Sequence, residues 1–299
     1  MKKTGFILIA LIALLLVSCE LITGTAPSKG MLHVVAIGDN FTGRTDINPL
    51  LSCENDATAV CNVFDYWGKK AGMETDIHNC NGTYFNGFGA ELLNVADTAK
   101  ENDLTVIFVS THGDNSFDFP IPYSVSNSDE AIFVLEYMDE TDGLIVVYLP
   151  QSYLEDVADM IPGKVLIIAD FCYSGALVHQ DNFTYNNDNF TGSSPLKLFF
   201  GSSTATDSNK LFCLTASSYY QKAQSGFTLS VFTQYLLESL GLSGFNPDTG
   251  EVTISSSVPA LKGKKIILSD IYRYIYESTA RVQVPQMNTG ASDLILFSL

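Results

Sequence analysis

Basic residues are scarce in this chain. Sixteen Lys and Arg stand against 33 Asp and Glu, a formal charge of −17 over 299 residues. Binding to nucleic acid draws on basic patches that neutralise phosphates, so that class of function is set aside. Long apolar runs are absent outside the amino terminus. The run there, Phe6 to Val17, falls short of the roughly 20 residues a membrane-spanning helix needs. There is no glycine-rich phosphate loop, and no set of Cys, His and acidic residues has metal-ligand spacing. The cysteines are unevenly spaced, unlike a disulfide framework, and a Cys53–Cys61 or Cys53–Cys80 bridge is not expected.

The amino terminus carries an address. Lys2 and Lys3 precede the apolar run, the pattern of a secretory signal. Its ending, Leu16-Val17-Ser18-Cys19, resembles a bacterial lipobox. That resemblance implies removal of residues 1–18, a lipid on Cys19, and a tether over 19–30. The protein is then exported to the bacterial cell envelope and anchored to a membrane. The remaining residues, 31–299, suffice for one large domain. Without Lys2 and Lys3 the charge becomes −19, which favours solubility and attracts basic peptides.

What the chain does contain is an alternation of strand and helix signals. Met31–Gly38, Val106–Val109 and Val165–Ile168 are short continuous apolar runs, as in strands buried on both faces of a parallel sheet. Met73–Asn79 is a weaker strand. Val60, Val63, Phe64, Trp67 and Ala71 share one helix face. Helices are expected over Gly87–Lys100 and Gln151–Met160. Between them, Asp114–Pro150 reads as an insertion with a hairpin of Ala131–Met138 and Leu144–Leu149. Gln180–Asn209 is polar and rich in Asn, Ser and Thr, the composition of a flexible loop. Beyond it come a strand (Leu211–Ala216), a helix (Val231–Leu240) and a polar loop (Gly241–Gly263). A helix over Asp270–Ala280, capped by Ser269, and a strand over Asp293–Phe297 close the chain. This order predicts an α/β fold with a mostly parallel central sheet and helices on both faces.

Two of the buried strands end in chemistry. One leads into Ser110-Thr111-His112-Gly113, the other into Asp170-Phe171-Cys172. Open α/β sheets place their sites at the carboxyl ends of strands. A thiol attacks only as thiolate, and imidazole is the base suited to neutral pH. His112 and Cys172 therefore form a candidate catalytic pair. Gly113 permits close backbone approach, and its N–H can donate to an oxyanion. Cys53, Cys61, Cys80 and Cys213 lack a catalytic context, as do His33, His78 and His179.

These segments resemble motifs of the caspase-like cysteine peptidases, nearest the metacaspase-like bacterial branch. Ser110–Gly113 is similar to S-G-H-G, and Asp170–Gly175 to D-x-C-H-S-G. Val34–Gly38 resembles the first strand, Leu50–Ala57 the L-x-G-C-x-N-D-A segment, Leu214–Ser218 a later strand, and Ser230–Thr233 the G-x-F-T helix start. Ser52, Thr111 and Ser230 each replace a usual Gly, and Tyr173 a usual His. The resemblance implies a caspase-like fold and a cysteine endopeptidase with Gly113 and Cys172 N–H groups as oxyanion donors. It also implies an acidic pocket of Cys53, Asp56, Ser110 and Asp170 that accepts Arg or Lys before the cut bond. The partner is then a peptide or protein substrate. Calcium is the one cofactor the resemblance raises. In this family the stretch matching Gln180–Asn209 links the two halves and is often cut; here the basic residues available are Lys197 and Lys210. A catalytically weak or inactive binding module at the envelope is the alternative, against which the retention of both His112 and Cys172 weighs. An esterase or acyltransferase on the same pair gives no reason for Asp56 and Asp170.

Overall fold

The computed structural model describes residues 29–114, 132–178, 210–279, 281–288, 291 and 293–299. The signal segment, Cys19, most of the tether, His179, the loop 180–209 and Lys197 lie outside the described residues. The central sheet has six strands: β1 (Leu32–Gly38), β2 (Thr75–Asn79), β3 (Leu104–Ser110), β4 (Lys164–Asp170), β5 (Leu211–Thr215) and β6 (Gln286–Met287). Their order is β6-β5-β4-β3-β1-β2, parallel throughout except for β6, which runs antiparallel at the edge.

The apolar runs explain this arrangement. Successive side chains of a strand point to opposite faces, so a strand apolar at every position must be covered on both. Val34 and Ala36 of β1 join one core cluster, while Val35 and Ile37 join the other. The first cluster packs under α1 (Cys53–Lys70), α4 (Val231–Ser239) and α5 (Leu268–Thr279). The second packs under α2 (Tyr84–Thr98), α3 (Ser152–Met160) and the hairpin of Ile132–Asp139 with Gly143–Pro150. The face expected on the first helix is buried: Val60, Val63, Phe64 and Trp67 are all 0% exposed. The Trp67 indole N–H donates to the Leu240 carbonyl at 2.9 Å, which ties α1 to the end of α4.

Two expectations are corrected. Gly241–Gly263 is not simply a polar loop. It contains a hairpin of Leu242–Phe245 with Val252–Ile254, whose apolar side chains pack against the first core cluster. The Asn246–Gly250 turn dominated the composition and hid the short strands on either side. Ser269 is the second residue of α5, which begins at Leu268, so it does not cap that helix. Among the described residues no helix is long and apolar enough to cross a membrane.

Strand order reverses at β1 and β3, since β2 lies to one side and β4 to the other. The crevice above the carboxyl ends of strands at such a switch point is where open α/β sheets bind ligands. The loops after β1, β3 and β4 all emerge there.

Candidate active site

Register brings the two motifs together. Ser110 of β3 pairs with Asp170 of β4, so His112 and Cys172 each follow two residues later on neighbouring loops. The Thr111 N–H donates to the Asp170 carbonyl at 3.2 Å. A Cβ placed on Gly113 would lie 2.2 Å from the Cys172 carbonyl oxygen and 2.9 Å from the Phe171 ring. Only glycine lets the His loop approach the Cys loop this closely. The Val134 N–H donates to the His112 carbonyl, and Gly113 stands opposite Phe133 of the hairpin. In an antiparallel ladder, consecutive residues turn their N–H groups to opposite sides. The Gly113 N–H therefore points away from the hairpin and is not used in that ladder.

The His112 ring is held from two sides. Its Nε2 lies 2.7 Å from the Asn48 carbonyl oxygen. A carbonyl only accepts, so Nε2 carries the proton and Nδ1 is left able to take one. The Phe41 ring packs 5.2 Å from the imidazole, centroid to centroid. Asn48 and Phe41 belong to the loop after β1. That loop is folded back by Asn40, whose Oδ1 accepts the Cys53 N–H at 2.9 Å and whose carbonyl accepts the Leu50 N–H at 2.9 Å.

Cys172 is half-buried. Burial pushes its thiol up, while the Ala223 N–H and the Lys222 charge pull it down. The net direction is upward, so the thiol is protonated at rest and needs a base to react. Tyr173 follows in the left-handed region at φ 63° and donates its N–H to the Gln221 carbonyl. Side chains rarely adopt that backbone conformation, and such residues cluster at functional sites.

The four residues expected to form an acidic pocket, Cys53, Asp56, Ser110 and Asp170, also converge. Asp56 sits in the first turn of α1 and is 0% exposed. Its Oδ2 accepts the Ser110 hydroxyl at 2.9 Å, and its Oδ1 accepts the Ser230 N–H at 2.8 Å. Asp170 accepts the hydroxyls of Ser230 and Thr233, the latter at 2.7 Å. Burial raises both carboxyls. Asp170 is pushed up to about 6, and Asp56 is driven well above its usual range by burial and then by the charge of Asp170. The buried Cys53 thiol is raised well above its usual range by burial and by Asp56. Sequence reasoning missed Ser230 and Thr233 as part of this network. Ser230-Val231-Phe232-Thr233 signals a helix start, and Ser230 does cap α4 by accepting the Thr233 N–H at 3.2 Å. Nothing in its spacing foretells that the same cap reaches two carboxylates far away in the chain.

Among the described residues no three His, Cys, Asp or Glu side chains converge so as to hold a metal ion. The five cysteines from Cys53 to Cys213 are free thiols.

The fold and site thus define an α/β protein with a mostly parallel sheet and a Cys, a His and a pair of buried acids at its carboxyl edge. No family model and no curated protein matches the chain. Among solved structures, it is similar to protein GSU0716 from Geobacter sulfurreducens, with a TM-score of 0.51 and 15% identity over 86% of this chain and 92% of that one. That likeness shows a shared fold. Caspase-1 from Spodoptera frugiperda is similar over 91% of this chain and 90% of its own, with a TM-score of 0.47 and 10% identity. No assignment rests on this second likeness.

Proposed function

We propose that the chain is a caspase-like cysteine endopeptidase that cuts peptides after Arg or Lys, anchored to a membrane of the cell envelope through a lipid on Cys19. The observation that carries this reading is the contact of the Gly113 loop with the Cys172 loop, beside an imidazole whose Nε2 is engaged by Asn48. His112 Nδ1 takes the thiol proton, and Cys172 Sγ attacks the scissile carbonyl carbon. The N–H groups of Gly113 and Cys172 stabilise the oxyanion. His112 then passes its proton to the leaving amine, and water hydrolyses the thioester with His112 again as base.

Asp56 and Asp170 supply the negative charge for the side chain before the cut bond. Among the described residues their hydrogen-bond partners are neutral hydroxyls and backbone N–H groups, and no Lys or Arg side chain pairs with either acid. A neutral acyl substrate would leave these costly buried acids without a role. The test is a panel of peptides ending in Arg, Lys, Asp or Asn before a reporter group. Arg and Lys peptides should be cut best, and Asp56→Ala should cost them about tenfold or more relative to neutral peptides. A preference for Asp before the cut bond would contradict the reading.

A further inference from the structure

The loop after β1 contains a buried carboxylate that the dyad chemistry above does not use. Asp39 follows β1 directly and is 7% exposed. Its own N–H donates to the Ser110 carbonyl at 3.0 Å, which fixes it beside the strand that carries His112. Its Oδ1 accepts the Phe41 N–H at 3.0 Å, and its Oδ2 accepts the Glu136 N–H at 2.7 Å. Phe41 is the residue whose ring packs on the imidazole. Glu136 lies two residues beyond Val134, which holds the His112 carbonyl. Asp39 thus bonds to the structure on both sides of His112. Phe41 itself is in the left-handed region at φ 52°, a conformation that the Asp39 side chain stabilises by capping its N–H.

The His112 charge is one of the influences on the Asp39 carboxyl. Burial raises its carboxyl, opposed in turn by the Glu136 N–H, the Phe41 N–H, the His112 charge and the Arg44 charge. The Arg44 guanidinium is already engaged. It donates to Asp46 at 2.8 and 2.6 Å and to the Leu144 carbonyl at 3.0 Å. The other nearby charges are negative, Glu136 on the hairpin and Glu54 at the start of α1. Around Cys172 the charged neighbours are Lys222, Asp170 and Asp114. His112 is therefore the group beside Asp39 that gains a positive charge during reaction. Two N–H donors aimed at both oxygens favour the ionised carboxylate that can stabilise that charge.

We infer that Asp39 is a positioning residue of the dyad: its carboxylate fixes the loop that orients the His112 ring and stabilises the imidazolium formed when Nδ1 takes the Cys172 proton. In that step the S–H bond breaks and an N–H bond forms. One positive and one negative charge appear, and no other reactant is needed. The inference rests on the His112–Cys172 reading.

The experiment compares wild type, Cys172→Ala, Asp39→Asn and Asp39→Ser on a peptide with a basic residue before the cut bond, from pH 5 to 9. Asn keeps the size of the side chain, and Ser keeps an acceptor for the Phe41 N–H; neither carries charge. Both variants should keep KM within about twofold and lose about tenfold in kcat. The loss should be larger at pH 9 than at pH 5, because burial raises the Asp39 carboxyl and only its ionised form can oppose the charge that forms on the imidazole. Thermal unfolding reports separately on the fold. A kcat loss equal at every pH, together with a lower unfolding temperature in both variants, would make Asp39 purely structural and overturn the inference. Unchanged kcat at every pH, with activity abolished in Cys172→Ala, would overturn it while leaving the dyad standing. A wild type that cuts no peptide, or a Cys172→Ala protein that still does, would overturn the dyad and this role with it.

Discussion

The buried acid Asp170 gives a prediction that needs no substrate. Its carboxyl is pushed up to about 6, chiefly by burial, against 3.8 for an unburied Asp. The folded state therefore keeps the proton across a window in which the unfolded chain has already lost it. The contribution of this carboxyl to stability falls as pH rises from about 4 to about 6. About two pH units at roughly 1.36 kcal/mol each give a loss on the order of 3 kcal/mol. Asp170→Asn removes the titration and keeps an oxygen to accept the hydroxyls of Ser230 and Thr233. Whatever the substitution changes at fixed pH, its stability relative to wild type should improve by about 3 kcal/mol between pH 4 and pH 7.5. For a domain of this size that is a relative swing of about 6–12 °C in unfolding midpoint. The assay is thermal unfolding of both proteins across that range. Parallel curves with no relative swing would refute the claim that burial holds this carboxyl above its usual range.

Two further predictions bear on the site and on anchoring. Gly113→Ala should lower kcat by about a hundredfold or more, because its Cβ would press on the Cys172 carbonyl and shift an oxyanion donor; kinetics at saturating peptide read this out. Wild-type protein expressed in bacteria should incorporate labelled fatty acid and sediment with membranes, whereas Cys19→Ser should do neither; equal labelling of both would remove the case for Cys19.

The sheet was legible because each strand announces itself locally. β1, β3 and β4 are apolar at nearly every position, and this pattern fits only strands covered on both faces. The placement of His112 and Cys172 on neighbouring loops was legible for the same reason, since each directly follows one of these strands. The acids Asp56 and Asp170 came from the family resemblance, and their convergence needs the register of Ser110 with Asp170. The contacts of Ser230, Thr233, Asn48 and Asp39 were not legible. Each acts through a hydroxyl, a carbonyl or a carboxylate that reaches a partner far along the chain, and such reach leaves no periodic trace in sequence. The hairpin of Leu242–Phe245 with Val252–Ile254 was missed because its strands are three or four residues long and the turn composition outweighed them.

The central claim is that Cys172 is the nucleophile and His112 its base. Hydrolysis of a reporter peptide with Arg or Lys before the cut bond, measured for wild type, Cys172→Ala and His112→Ala at equal folded concentration, tests it most directly. The account predicts no detectable turnover for Cys172→Ala and a loss of several orders of magnitude for His112→Ala. Undiminished hydrolysis by the Cys172→Ala protein would contradict it.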